Sequence, residues 1–156
     1  MGARSAPVAY WKLDGNSQDS AGTNNGSNTN INYSTNQGVV NQGAAFNGTS
    51  SHIDIAGPLS GMVNTSVSAW IKTSAASATM FIASQRDSDN STGQWIFYLD
   101  HGRLVFSAEN GGQGNGGEGN SNSIADGNWH HVGVSQSGNF YTFYLDGVAD
   151  GTVTQV

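Results

Sequence analysis

Residues 94–108 read QWIFYLDHGRLVFSA, and this stretch decides the fold. Trp95, Phe97 and Leu99 recur at every second position, which is the period of a β-strand, and the residues between them are also mostly large and apolar. The short link that follows places Gly102 where a tight turn needs a left-handed backbone, and a second apolar run then begins. The stretch therefore predicts an antiparallel hairpin with both of its faces at least partly covered.

The same period-two pattern recurs along the rest of the chain, bounded by Gly, Asn, Asp and Ser, and no segment has a convincing helical period. A second hairpin is predicted around Ser137-Gly138-Asn139. Nine strands with short links favour an all-β, antiparallel jelly-roll sandwich. The predicted strands are Val8–Leu13, Gly43–Phe46, Ser51–Ile55, Ser66–Lys72, Thr79–Gln85, Gln94–Asp100, Arg103–Ala108, Trp129–Gln136 and Phe140–Leu145. Residues 16–42, apart from a short strand near residues 31–33, and residues 109–123, the second stretch rich in glycine, are predicted to be long loops.

Length and composition narrow the classes of protein. A chain of 156 residues with 36% hydrophobic residues predicts one folded domain over residues 1–156, with residues 1–7 as a flexible N-terminal arm. Five Lys and Arg against eleven Asp and Glu leave a net charge of -6 and no basic cluster, so nucleic acid is not expected as a partner. No apolar run is long enough for a membrane helix, and the absence of Cys excludes a disulfide scaffold.

Seven segments, in this order and spacing, resemble the laminin-G-like or concanavalin A-like lectin and glucanase sandwiches, and together they extend over nearly the whole chain. They are AYWKLDGN (9–16), DSAG (19–22), QGAAFNG (42–48), HIDI (52–55), VSAWIK (67–72), GNWHHV (127–132) and YLDG (144–147). The resemblance implies a concanavalin A-like sandwich. Members of the family continue past the YLDG segment into further strands that pack beside the first, whereas this chain ends at Val156. We therefore expect the family's terminal strands to be lacking, and a second copy or a partner chain to cover the edge beside the N-terminal strand.

The resemblance also implies a structural calcium ion. In laminin-G-like relatives an early Asp followed by Gly contributes to such a site, and Asp19 with Gly22 matches that half of it. The alternative is that Asp19 forms an Asx turn, in which its carboxylate bonds the nearby backbone.

Catalysis is not expected. Glycoside hydrolysis uses two carboxylates flanking the scissile bond, whereas Glu109 and Glu118 are the only Glu residues and the strand motif of the glucanase relatives is absent. His130 and His131 are adjacent on a predicted strand, so their side chains point to opposite faces and are not expected to share a zinc ion.

Carbohydrate binding fits the residues best, since sugars are held by aromatic rings together with polar groups that bond hydroxyls. The predicted binding residues are Arg86, Trp95, Tyr98 and Glu109; the alternative is that Trp95 belongs to the core while Arg86 and Glu109 are solvated. We expect a non-catalytic lectin-like domain that binds a glycan or surface polysaccharide in an extracellular, cell-surface or virion-surface setting. The alternative function is a structural module that makes protein contacts in a virion, fibre or cell-surface layer, and the third hypothesis is a glycoside hydrolase.

Overall fold

The computed structural model describes residues 6–56, 64–85, 92–110 and 113–154, and the chain divides into two compact units between residues 58 and 59. The single domain predicted over residues 1–156 stays a prediction, and the predicted arm lies mostly outside the described residues. Within the described ranges there are twelve strands and a 3-10 helix, Thr35–Gln37. The strands are β1 Gly26–Thr29, β2 Asn32–Ser34, β3 Gly43–Ala45, β4 His52–Ile55, β5 Ser66–Lys72, β6 Thr79–Gln85, β7 Thr92–Asp100, β8 Arg103–Asn110, β9 Gln113–Glu118, β10 Trp129–Ser137, β11 Phe140–Leu145 and β12 Val148–Thr154. No helix in the described part is long and apolar enough to cross a membrane.

The unit that begins at residue 59 contains two four-stranded antiparallel sheets. One has the strand order β12-β11-β10-β5 and the other has the order β6-β7-β8-β9. Most neighbours in the sheets are also neighbours in sequence, as expected for strands joined by tight turns. The predicted all-β antiparallel fold class is confirmed.

A single apolar core holds the strands of this unit together. Its largest fully buried side chains include Phe97 from β7, Phe106 from β8, and Tyr141 and Phe143 from β11. Each contributes about 1.5–3 kcal/mol by leaving water, which is more than a surface ion pair contributes. Because successive side chains on a strand point to opposite faces, burial of this set determines which residues face outward.

The turns between paired strands have the backbone that the sequence predicts. Gly102, between β7 and β8, has φ 79°, and Gly138, between β10 and β11, has φ 57°. A further tight turn at Asp146 and Gly147, with φ 50° and 82°, reverses the chain from β11 into β12. Turns with positive φ match the right-handed twist of antiparallel strands and keep the hairpins in register.

Two strands of this unit lie where the pattern predicted none. The glycine-rich stretch expected to be a loop contains β9, which pairs with β8 from Val105 opposite Glu118 to Asn110 opposite Gln113. A Cβ at Gly116 would lie 2.2 Å from the carbonyl oxygen of Phe106, so this close approach needs glycine. β12 follows the last predicted strand and pairs with β11.

The N-terminal unit, which ends at residue 58, contains two small antiparallel pairs, β1 with β4 and β2 with β3. The strand predicted over residues 8–13 is wrong. Only Trp11 makes a β-bridge there, to Asp19, and Leu13 has φ 57°, which interrupts an extended strand. The partner chain expected beside that strand stays a prediction.

Candidate functional site

Two of the four predicted sugar-binding residues have described side chains, Trp95 and Tyr98, and these lie on opposite sides of β7. Trp95 is 4% exposed, its ring stacks on Phe106 with centroids 6.2 Å apart, and its Nε1 donates to Gln85 Oε1 at 3.3 Å. The prediction that Trp95 is an exposed platform for a sugar is therefore wrong. Its indole fills the core, which was the alternative interpretation. Arg86 lies outside the described residues.

Tyr98 lies on the opposite side of β7 from Trp95, next to Phe81 on β6, with ring centroids 6.0 Å apart. Burial, followed by the charges of Asp100 and Glu118, raises the pKa of the Tyr98 hydroxyl. Phe81 is 67% exposed. Tyr98 therefore lies beside the exposed ring of Phe81, on the outer side of the β6-β7-β8-β9 sheet. The core separates it from the outer surface of the β12-β11-β10-β5 sheet.

Glu109 is the fourth predicted residue. Its backbone belongs to β8 and pairs with Gln94 on β7 and Gly114 on β9, and its side chain is outside the described set.

The outer surface of the β5-β10-β11-β12 sheet carries a different aromatic group, which we call the Trp70 face. It consists of the side chains on the side of these strands opposite the core, arranged in cross-strand rows. Three central rows are Trp70–His131, Ser68–Gly133–Tyr144–Ala149 and Ser66–Ser135–Thr142–Thr152. The same face continues at its two ends into the rows Lys72–Trp129 and Ser137–Phe140–Thr154.

Three aromatic rings on this face are exposed, Trp70, Tyr144 and the 52% exposed Phe140. Trp70 is 53% exposed, and its ring centroid lies 5.3 Å from that of His131 at an interplanar angle of 54°. Tyr144 is 36% exposed, and its hydroxyl lies 3.4 Å from Ser135 Oγ. An exposed tryptophan costs hydrophobic free energy unless a ligand or partner covers it.

Hydroxyl groups occupy most of the remaining positions of the Trp70 face. Thr142 and Thr152 bond each other through their Oγ1 atoms at 3.1 Å, and Ser66 and Ser68 are exposed on β5. A hydroxyl both donates and accepts, so these groups match the hydroxyls of a sugar without requiring charge. The three cross-strand rows contain no carboxylate.

His130, next to His131 in sequence, points the other way and is held between two carboxylates. Its Nδ1 lies 2.8 Å from Asp146 Oδ2 and its Nε2 lies 3.2 Å from Asp126 Oδ1. The bond to Asp146, and secondarily that to Asp126, raises the pKa of His130. The same contact, together with the N–H of His131, lowers the pKa of Asp146. This cluster anchors the turn after β11 to the start of β10. His130 and His131 face opposite sides of the strand, as the sequence predicts.

Asp19 in the N-terminal unit has the hydrogen bonding of an Asx turn. Its Oδ1 accepts from the backbone N–H groups of Tyr10 and Ala21, both at 2.9 Å, and its Oδ2 accepts from the backbone N–H (3.1 Å) and Nδ2 (3.0 Å) of Asn24. These donors, led by the Tyr10 amide, hold the pKa of Asp19 well below its ordinary value. A Cβ at Gly22 would lie 2.9 Å from Asp19 Oδ2, so the glycine permits the close turn.

A calcium ion needs oxygen lone pairs, whereas four N–H donors already occupy those of Asp19. Asp19 and Gly22, so arranged, do not fit the ion that the resemblance implies. No group of three or more His, Asp or Glu within the described ranges is placed to hold a metal.

Comparison with known proteins identifies the family. A sequence profile described as the concanavalin A-like lectin/glucanases superfamily matches residues 47–156. The chain belongs to this superfamily. The predicted resemblance is therefore confirmed for most of the chain. No curated protein sequence matches it.

Two solved structures are similar to this member of the superfamily. One is the mouse laminin alpha1 chain, domains LG4-5, with 23% identity and a TM-score of 0.50 over 58% of this chain. The match extends over 23% of that laminin chain, so this protein spans about a quarter of it. The other is the carbohydrate binding module CBM66 from Bacillus subtilis, with 14% identity and a TM-score of 0.46 over 83% of this chain and 78% of that one. At such identities the likeness to laminin shows the fold alone.

The sequence analysis missed Trp70, His131 and Tyr144 as binding candidates, although a signal for one of them was present. Along residues 66–72 the small apolar residues Val67 and Ala69 alternate with Ser68 and Trp70. A large aromatic ring on the serine side of a strand is the pattern of an exposed binding residue.

The Asp19 turn makes a prediction about calcium. We expect the melting temperature of the wild-type protein to be the same with added CaCl₂ and with a chelator, because the carboxylate is already saturated by N–H donors. Asp19→Asn should lower the melting temperature, since the NH₂ group of the asparagine would replace one carboxylate oxygen and would face N–H groups that need an acceptor. Asp54→Asn, at a side chain 75% exposed, is the control and should change little. A calcium-dependent rise in melting temperature that Asp19→Asn removes would establish the calcium site instead.

The His130 cluster makes a prediction about pH. The pKa of His130 is raised from 6.5, so its contribution to stability is present below pH 6.5 and is lost as the pH rises through the raised value. The pKa of Asp146 is lowered from 3.8, so its contribution is present above pH 3.8 and is lost as the pH falls through the lowered value. Between these limits both contribute, and His130→Gln should destabilise most there in urea unfolding followed across pH.

His101→Gln, which removes a histidine with a 69% exposed side chain, is the matched control for that series. An equal loss of stability from His130→Gln inside the window and well above it would show that the cluster acts through packing and not through charge.

Proposed function

We propose that this protein is a non-catalytic carbohydrate-binding domain and that it holds its glycan on the Trp70 face. One observation carries the proposal: exposed aromatic rings, Trp70 and Tyr144 among them, stand on an outward sheet surface in which most of the other positions are hydroxyls. A tryptophan face packs against the apolar C–H side of a sugar ring, and Ser and Thr hydroxyls bond its polar rim.

The chemistry of the face also favours binding over hydrolysis. A glycosidase needs a pair of carboxylates, one of them protonated, on either side of the scissile bond. The cross-strand rows of the Trp70 face have no such pair, and Glu118 on the other sheet is paired with Arg103 at 3.6 Å. Of the two roles in the superfamily's description, lectin and glucanase, the face therefore supports the first. We place this role outside the cell, on a cell or virion surface.

Affinity electrophoresis in gels that contain soluble polysaccharides tests the function. We expect at least one of dextran, pullulan, laminarin, xyloglucan or galactomannan to retard the wild-type protein. Trp70→Ala should weaken that binding by about tenfold or more, since an aromatic residue that packs on the ligand carries a large share of the binding energy. Phe81→Ala, which removes a 67% exposed aromatic ring from the other sheet, should leave the retardation unchanged. Absence of retardation on every polysaccharide, with no binding on a glycan array, would contradict the function.

A second candidate function, assembly through protein contacts, rests on the patch around Phe81. That ring adjoins Tyr98, and the cross-strand row continues through Val105 to Glu118, which pairs with Arg103. An apolar centre bordered by an ion pair is the composition of a protein interface.

Sedimentation velocity over a range of protein concentrations tests the assembly role. We expect concentration-dependent association that Phe81→Asp removes and Phe140→Asp, at a ring 52% exposed on the other sheet, retains. A protein that sediments as a monomer at every concentration would contradict self-assembly through this patch.

A further inference from the structure

Trp70 and Tyr144 lie at opposite ends of a diagonal across three strands. Trp70 on β5 pairs with His131 on β10; two residues further along β10, Gly133 pairs with Tyr144 on β11. Two strand spacings of about 4.8 Å and two residues of about 3.4 Å separate the backbones of the two residues by roughly 12 Å. This span is longer than a single sugar ring and is comparable with a short oligosaccharide.

Gly133 lies at the middle of that diagonal and has no side chain to obstruct it. Its row places it between Ser68 and Tyr144. A Cβ added there would meet the nearest atoms, Ser68 Cβ and the Val67 carbonyl oxygen, at 3.4 Å, which is close to ordinary contact. Packing therefore tolerates a side chain at this position. Gly133 is itself buried between its neighbours, and the absence of a side chain there keeps any group from projecting outward between the two rings.

The charge along the diagonal is low although the chain as a whole carries -6. Its rows present hydroxyls, aromatic rings and the His131 imidazole, and Lys72 is exposed beyond Trp70 at one end of β5. A face of hydroxyls without a cluster of Lys or Arg offers an anionic polysaccharide little to pair with. It suits a ligand whose polar groups are themselves hydroxyls.

We propose that the ligand is an extended, uncharged polysaccharide chain that crosses the sheet from Trp70 over Gly133 to Tyr144. One sugar ring stacks on Trp70 and a later ring of the same chain stacks on Tyr144, while Ser68 bonds hydroxyls between them. This inference rests on the proposed function and adds the ligand class, the direction of the chain and the need for more than one contact. Affinity then grows with chain length until both aromatic rings are covered.

Isothermal titration calorimetry with an oligosaccharide ladder tests the inference. The ladder runs from the disaccharide to the hexasaccharide and is prepared from whichever uncharged polysaccharide of the panel retards the wild-type protein most. We expect affinity to rise along the ladder and then level off. Tyr144→Ala should weaken binding of the hexasaccharide by about tenfold and leave the affinity for the disaccharide unchanged. Tyr144→Phe should bind each oligosaccharide with the wild-type affinity, since stacking needs the ring alone.

The control is Phe140→Ala, at a 52% exposed ring on the same strand that lies off the diagonal. It should behave as the wild type at every length. Gly133→Val should reduce hexasaccharide affinity by filling the centre of the path, with its melting temperature measured alongside. If Gly133→Val does not fold, the Tyr144 variants decide the question by themselves.

The outcomes separate this inference from the proposed function. An uncharged polysaccharide could retard the protein while the affinity for its oligosaccharides is independent of chain length, or is the same in Tyr144→Ala as in the wild type. Either result would overturn the diagonal chain and leave carbohydrate binding intact. Binding confined to alginate or heparin would overturn the uncharged ligand. Failure of every polysaccharide would refute the proposed function itself, and this inference with it.

Discussion

Burial of aromatic rings between the two sheets is the constraint on which the C-terminal unit depends. Phe97, Phe106, Tyr141 and Phe143 are at most 1% exposed, and they come from three strands of the two sheets. Successive side chains of a strand point to opposite sides of the sheet, so a strand that buries one set of residues exposes the other set. Once Tyr141 and Phe143 are inside, Tyr144 has to lie outside, and the packing of Val67, Ala69 and Ile71 against the core places Trp70 outside in the same way. The exposed aromatic groups are therefore a consequence of the register that builds the core.

That consequence carries a hydrophobic cost, which points toward function. Antiparallel sheets commonly have one solvated face, and the usual residues there are polar. The Trp70 face keeps the polar residues, mostly serine and threonine, but interrupts them with the exposed rings of Trp70, Tyr144 and Phe140 and with Gly133. Stability alone would favour hydroxyls throughout. The combination is chemically suited to sugars, which have apolar ring faces and hydroxylated edges.

The acidic residues have mainly structural roles where the structure describes them. The carboxylates of Asp19 and Asp146 each accept backbone N–H groups that a tight turn leaves without strand partners, and Asp146 also holds His130. A carboxylate occupied in this way is a poor metal ligand and a poor general acid, since its lone pairs are taken and its pKa is low. The net charge of -6 thus reflects turn chemistry and a scarcity of Lys and Arg. This distribution of charge agrees with the proposed binding role.

By itself the sequence determined the fold class and much of the strand pattern. Strands β5, β6 and β11 have the predicted bounds, and Gly102 and Gly138 occupy the predicted turns, because period-two patterns and left-handed glycines are local properties of the chain. The strand β9 was missed, because its glycines form a strand only through backbone pairing to β8, a contact that leaves no trace in composition. Only the tertiary structure decided which side of each strand faces the core. Trp95 and Tyr98 illustrate the reason: β7 has large apolar residues on both sides, and such a pattern is symmetric until a second sheet packs against one of them. The same packing buried the predicted Trp95 and left Trp70 exposed as the better candidate for binding.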